Sequence, residues 1–379
     1  MAKNDWIIIC GDYINALSIY QSAKKISWDG KIVFITINQS NPMLVDFVQD
    51  ALIWKIKLEN PDELFQQISL RIPEKERKFI FFTNELFHSS LHLNKNPRSN
   101  FYFWSGDVNK MDLILDRFLF YEFIKQKGIF LVPMTIESNK NPWDYFSPPF
   151  FLRIRKSWSG LIRRKGVIII KNKNQLRDVE VDLINSGISR EEWCYQEILS
   201  LDSKHNISIC GWHQADTQRY FATQKILQHP GKMGNGDIVG RIDDPKILLN
   251  ATQKLLFDLN YSGPFELEFV YDPRIEQYKI IELNPRFWMQ HGLIEKITGN
   301  ELIKRYLNQF DDKNSAYENE TKYWINSFYL IIRFLKFDLR IMKYIFNTKK
   351  YISPPINFLF PLIYVYIRNI LFEMKKRNQ

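Results

Sequence analysis

Phe265-Glu-Leu-Glu-Phe269 and, one turn later, Ile280-Ile-Glu-Leu-Asn-Pro-Arg286 are the runs on which the reading of this chain turns. Residues 265–271 and 278–284 have strand length, and Asp272-Pro273-Arg274 between them has the composition of a hairpin turn. Successive side chains of a strand alternate between faces, so Glu266 and Glu268 share one face, and Glu282, Asn284 and Arg286 share a face of the neighbouring strand. An isolated Glu-x-Glu more often belongs to a solvated face. Here Ile280, Ile281, Leu283, Phe287 and Trp288 make the surroundings apolar, and a carboxylate in such surroundings is costly without a cation. Glu268, Glu282 and the amide oxygen of Asn284 are hard ligands, too few for a calcium cage and suited to magnesium shared with nucleotide phosphates. Manganese is the alternative ion. Arg286 supplies a fixed positive fork for a transferring phosphoryl group.

Upstream, Trp6-Ile-Ile-Ile-Cys10 is an apolar run of strand length, followed by Gly11-Asp12 and a helical pattern through Ile14, Leu17 and Ala23. Further apolar runs at Lys31 to Thr36 and Lys78 to Phe82 alternate with helical spacing, as in a parallel sheet, so residues 1–108 read as a Rossmann-like α/β domain. A dinucleotide site needs several glycines in the first turn, and this turn offers only Gly11. From Val108 a helical pattern with Leu113, Phe118, Tyr121 and Ile124 runs to Gly128. Residues 150–155, 166–170, 193–199, 205–211 and 219–225 read as strands of a mixed α+β section covering 109–310. The polar stretch Asp311 to Lys322 reads as a linker into a basic, aromatic and mostly helical C-terminal segment, 311–379.

The 379 residues exceed what a single core supports, roughly 250–300 residues, so more than one unit is expected. Cys10, Cys194 and Cys210 are an odd set without metal-like spacing, which argues against a disulfide framework or zinc site and for a reducing cytosol. The apolar run after Met1 to Asp5 is too short for a signal-peptide core. Net charge is +10, and residues 321–379 hold eleven Lys/Arg against two Asp/Glu. The rest of the chain is nearly neutral, which argues against a nucleic-acid partner. The uncharged run Tyr351 to Ile367, broken by Pro354, Pro355 and Pro361, is too short for a membrane span. Two readings of 321–379 stay open: its aromatics pack on the body, or it makes peripheral contact with the inner face of a membrane.

The acidic strand paired with Glu-Leu-Asn-Pro-Arg resembles the metal-binding end of ATP-grasp enzymes, in particular predicted ATP-dependent carboligases of the carboxylate–amine ligase type. Other stretches resemble the family in the same order. Leu115-Asp-Arg117 leads a helix ending at Gly128 and Val132-Pro-Met-Thr135, as in the entry helix, and Pro149-Phe-Phe-Leu-Arg153 is similar to the strand whose basic residue meets the phosphates. Ser157-Trp-Ser-Gly160, with Ser157, Ser159 and Gly160, resembles the loop that closes over them. Tyr195-Gln-Glu-Ile198 resembles the hinge, in which Gln196, Glu197 and Ile198 read adenine and ribose, and Lys225 resembles a basic residue aimed into the site. The likeness covers residues 108–310, with 1–108 in the place of the pre-grasp domain. Arg117 and Arg153 stand where lysine is commoner in the family.

The resemblance implies ATP and magnesium as cofactors, Arg286 and Lys225 as catalytic groups, and a small-molecule carboxylate activated as an acyl-phosphate for attack by a nucleophile, in the first place an amine. The competing reading is a non-catalytic ATP-binding scaffold recruited to a membrane surface or partner by its tail. Retention of Glu268, Glu282, Asn284, Arg286 and Lys225 favours the enzyme. His205, His213, His229 and His291 lie near these segments and read as structural residues. Neither the acceptor nor the oligomeric state is legible in the sequence.

Overall fold

Five parallel strands open the chain: β1 (Trp6–Cys10), β2 (Lys31–Thr36), β3 (Leu52–Lys55), β4 (Lys78–Phe82) and β5 (Phe101–Tyr102), in the spatial order β3-β2-β1-β4-β5. The helices α1 (Ile14–Lys25) and α2 (Glu63–Ser69) lie between them in sequence, and β1 and β4 are buried throughout, as expected of a sheet covered on both faces. The computed structural model describes residues 4–37, 44–86, 88, 100–104, 107–159, 162–163, 166–199, 205–229, 234–243, 245–308, 320–335, 337–347, 349–353, 363–364 and 367–368.

The single helix expected after Val108 is two, α3 (Met111–Leu115) and α4 (Arg117–Gln126). Asp116 between them is extended and its carboxylate accepts the amide N–H groups of Phe118 and Leu119, so it ends one helix and caps the next. The second sheet is antiparallel and contains β6 (Thr135–Glu137), β7 (Phe150–Ile154), β10 (Val167–Ile170) and β11 (Trp193–Gln196), in the order β10-β7-β11-β6. Between β7 and β10 the short strands β8 (Trp158–Ser159) and β9 (Ile162–Arg163) pair as a hairpin, and α5 (Lys173–Asn185) sets Leu176 into the core beside Phe150, Leu152 and Trp193.

The third sheet has seven strands among the described residues, in the order β16-β15-β12-β13-β14-β17-β18. Its members are β12 (Asn206–Gln214), β13 (Thr217–His229), β14 (Asn235–Arg241), β15 (Gly263–Asp272), β16 (Gln277–Asn284), β17 (Tyr323–Asn326) and β18 (Lys350–Ser353). The helices α6 (Lys246–Asp258), α7 (His291–Thr298), α8 (Glu301–Tyr306), α9 (Ser327–Leu335) and α10 (Met342–Ile345) complete the chain. β17 and β18 correct the reading of the basic segment, whose helices α9 and α10 come with two strands that extend the large sheet. Each is only four residues long, too short for its periodicity to stand out from the aromatic residues around it. The expected linker falls mostly, and the run after Ser353 largely, outside the described residues. No helix among the described residues is long and apolar enough to cross a membrane.

One core joins the ends of the chain. Ile7, Ile9, Phe34, Phe79 and Phe81 pack in the same cluster as Trp212, Phe287, Trp288, Ile294, Tyr306 and Trp324. The turn from α7 to α8 buries Glu295, whose Oε1 accepts the Ile303 amide at 2.9 Å while Oε2 has no hydrogen-bond partner among the described residues. Burial, with the nearby Glu301 charge, outweighs that hydrogen bond and two lysines and pushes its carboxyl up to about 8. Glu295 is therefore neutral at pH 7 in the folded chain and ionised in the unfolded one, so folding takes up a proton. Its contribution is most favourable below about pH 4.5 and is lost progressively as pH rises to about 8. Glu295→Gln is expected to melt above the parent protein by a margin that widens between pH 5 and pH 8, reaching on the order of 4 kcal/mol. Thermal melts across that range check this, and a pH-independent margin would refute it.

Candidate active site

A cleft between the second and third sheets gathers charged side chains from five elements. β15 and β16 pair so that Glu266 faces Asn284 and Glu268 faces Glu282, which puts the acids and the amide on one face, as the period of two requires. β13 brings Lys225 within 2.6 Å of Glu268. From the opposite sheet, Arg153 on β7 lies 3.7 Å from Glu282 Oε2, and Arg117 at the start of α4 donates to Glu282 Oε1 at 3.0 Å. Arg117 also donates to the Ser157 hydroxyl at 3.1 Å, which ties the entry helix to the loop after β7.

Glu282 is 24% exposed and Glu268 17%. Burial pushes Glu282 up, but Arg117, Arg153, Arg286 and Lys225 together outweigh it and hold its carboxyl below the usual value. Lys225 is the mirror case: burial lowers it, and Glu268 and Glu266 more than restore its charged form. Glu266 is buried more deeply, and burial first and the Glu268 charge second push it up. Both its oxygens are engaged, accepting from Asn284 Nδ2 at 3.1 Å and Gln290 Nε2 at 2.7 Å. That bond turns the Asn284 oxygen toward Arg286 Nη2, 3.2 Å away. Arg286 reaches across to Glu85 at 3.2 Å, beyond the end of β4, so the first sheet borders the cleft.

Of the residues expected from the sequence, Arg117, Arg153, Ser157, Lys225, Glu268, Glu282, Asn284 and Arg286 lie in this one connected set. Gln196 joins it through its Oε1, which accepts from Arg153 at 2.9 Å. Ser159 contributes backbone to β8, Ile198 is half-buried just past β11, and Gly160 is outside the described residues. Glu197 stands apart from the acids of β15 and β16: its carboxylate accepts from the Met134 amide at 2.7 Å, Lys279 at 2.6 Å and Arg274 at 2.5 Å. Burial works against its charge, and those three donors prevail and lower its pKa. His291 is fully buried and bonds the Trp288 carbonyl at 2.7 Å, in keeping with a structural role.

Sequence reasoning passed over Tyr121, Glu85 and Gln290. The Tyr121 hydroxyl donates to the Ile281 carbonyl at 2.7 Å and lies 3.3 Å from Gln196 Nε2, joining α4, β11 and β16. Its position four residues after Arg117 puts both on one helix face, a signal the sequence did carry. Glu85 and Gln290 had none, because their partners are 201 and 24 residues away.

Among the described residues no three His, Cys, Asp or Glu side chains are grouped to hold a metal alone. Glu268, Glu282 and the Asn284 oxygen nevertheless fit magnesium, which takes one or two carboxylates and completes its shell with phosphates and water.

Residues 241–308, which hold Glu268, Glu282, Asn284 and Arg286, match the family described as carbamoyl-phosphate synthase L chain, ATP binding domain. Biotin carboxylase 1 of Bacillus subtilis is 23% identical over 206 residues, 49% of this chain and 43% of that protein. The chain spans less than half the length of the curated relatives it matches. Among solved structures, the biotin carboxylase β,γ-ATP complex of Campylobacter jejuni has a TM-score of 0.59 at 14% identity, over 83% of this chain and 73% of that one. The L-amino acid ligase of Bacillus licheniformis has a TM-score of 0.57 at 12% identity, over 82% and 77%. At such identities the likeness is one of fold. The chain therefore has the ATP-grasp fold, and its segment 241–308 is similar to the carbamoyl-phosphate synthase ATP binding domain.

Proposed function

We propose that the protein is an ATP- and magnesium-dependent ligase that activates a small-molecule carboxylate as an acyl-phosphate for attack by an amine. The observation that carries this reading is the placement of Glu282 between Arg117 and Arg153 from one sheet and beside Glu268 and Lys225 on the other. A cleft so lined has fixed cations for a polyphosphate and two acids for its metal, and no nucleophilic side chain is needed for phosphoryl transfer.

The γ-phosphorus exchanges its bond to the ADP oxygen for one to a carboxylate oxygen. The amine nitrogen then bonds the acyl carbon, phosphate departs and the amine gives up a proton. Glu268, Glu282 and Asn284 would hold the ion, magnesium or alternatively manganese, which when bound neutralises phosphate charge. Arg117 and Arg153 hold the phosphates from the side of the second sheet. Arg286 and Lys225 face the transferring group, where their charge is worth more than in water because the cleft is partly desolvated. Gln196, Glu197 and Ile198 at the end of β11 form the nucleotide hinge, with Glu197 fixed by its three donors. Ser157, Ser159 and Gly160 cover the phosphates. Residues 1–108 supply the pre-grasp domain, 109–310 the ATP-grasp domain and 311–379 the basic segment. All three cysteines are buried and unpaired, which suits a reducing cytosol.

Phosphate release by purified protein with magnesium, ATP and a library of carboxylates and amines tests the reading. Stimulation by one carboxylate–amine pair is the expected outcome. ATP binding without stimulated release would point to the scaffold instead, and absence of ATP binding would overturn both.

A further inference from the structure

Three of the most exposed large apolar side chains in the described structure fall within ten residues: Phe337 at 88%, Leu339 at 75% and Phe346 at 74%. Phe337 has a positive φ of 53°, a turn conformation rare for an aromatic residue. Leu339 begins a short 3-10 turn that runs into α10. Other side chains as exposed do not cluster this way: Leu70 stands alone after α2, and Ile247 and Phe257 lie at opposite ends of α6, about 15 Å apart along its axis.

The unit that presents these residues is anchored. Ile341 and Tyr344 are buried against Ile238 and Ile325 of the large sheet. Arg333 donates to Asp237 at 2.7 Å, to the Gln228 carbonyl at 2.7 Å and to Asp338 at 2.6 Å, binding α9 to β13 and β14. The unit therefore buries Ile341 and Tyr344 and leaves Phe337, Leu339 and Phe346 uncovered by the described residues. Cations are interleaved with the uncovered ones: Arg340 is 70% exposed, and Lys343 and Lys349 are exposed. Asp338 is the only acid from 321 to 372, and Arg333 and Arg340 both pair with it.

We propose that Phe337, Leu339 and Phe346 form a docking face by which the protein sits on an anionic lipid bilayer, with Arg340, Lys343 and Lys349 at the headgroups. Apolar side chains that stand proud of a positively charged surface suit the boundary between acyl chains and anionic headgroups, where burial and charge attraction act together. A second copy of the chain fits the face poorly, because it would bring together two segments in which Lys and Arg outnumber Asp and Glu eleven to two. The shape is that of insertion at the interface, and no span is required.

Co-sedimentation of the full chain with vesicles tests this, using phosphatidylcholine alone and phosphatidylcholine mixed equally with phosphatidylglycerol. The protein is expected to pellet with the mixed vesicles and not with phosphatidylcholine, and to be released as salt rises. The triple variant Phe337→Ser, Leu339→Ser, Phe346→Ser is expected to lose about tenfold in partitioning. Arg340→Gln with Lys343→Gln is expected to lose binding while the salt dependence flattens. All five residues are largely outside the core, so ATP binding is expected to be unchanged and serves as the check on folding. Failure to pellet with anionic vesicles, or equal binding by the triple variant, would overturn the proposal. So would a dimer that the triple variant abolishes, since the face would then belong to a second copy.

Discussion

Glutamine in place of Glu282 is expected to lower carboxylate-stimulated ATP turnover about 10²- to 10³-fold, with the larger part in kcat. The carboxylate serves two ends at once. It is the counter-charge for Arg117 at 3.0 Å and Arg153 at 3.7 Å, and it faces Glu268 across the strand pair as the second acid for a metal. Glutamine keeps the shape and one carbonyl acceptor but leaves two guanidiniums without their shared partner. Exposure of 24% moderates the structural cost, since water reaches the site, to roughly 1–2 kcal/mol. Turnover should therefore fall far more than stability. Steady-state kinetics with thermal melts on the same preparation separate the two, and parental kcat with a changed KM would reduce Glu282 to a binding role.

Alanine in place of Tyr306 is expected to cost about 3–5 kcal/mol of stability, the range for truncating a fully buried aromatic residue. Its ring stacks on Phe81 with centroids 4.0 Å apart and lies 5.6 Å from Phe287. Its hydroxyl bonds the Ile80 carbonyl of β4 and accepts the Trp104 amide. The substitution empties the contact between the parallel sheet and the helices that follow β16. Chemical denaturation reads the loss, and a second transition appearing in the variant would show that Tyr306 makes the chain unfold as one. A loss under about 1 kcal/mol would mean that the neighbours collapse into the space.

The two kinds of prediction differ in how far the sequence alone could reach them. That Glu282 and Asn284 share a face followed from strand periodicity, whereas Arg286, expected on the same face, lies past the end of β16, and the ordered runs from Leu115 to Arg286 carried the family resemblance. The strands at 6–10, 31–36 and 78–82 were legible because each is a continuous apolar run buried on both faces. β14, β17 and β18 were not. Their residues mix glycine, charge and aromatic side chains, and they become strands by pairing with β13 and with one another. Asp116 was read as part of a helix, although a residue of its type is as well suited to the cap it provides.

The sequence by itself determined which residues carry charge, which face of its strand each occupies and the order in which the elements follow, because alternation and turn chemistry are local properties of the chain. Only the tertiary structure decided which cation meets which acid. Arg117 and Glu282 are 165 residues apart and Arg286 and Glu85 are 201 apart, and no local periodicity encodes such a meeting. It depends on two sheets approaching closely enough to exclude most of the water, and at that distance the ion pairs gain the strength that gives the cleft its chemistry.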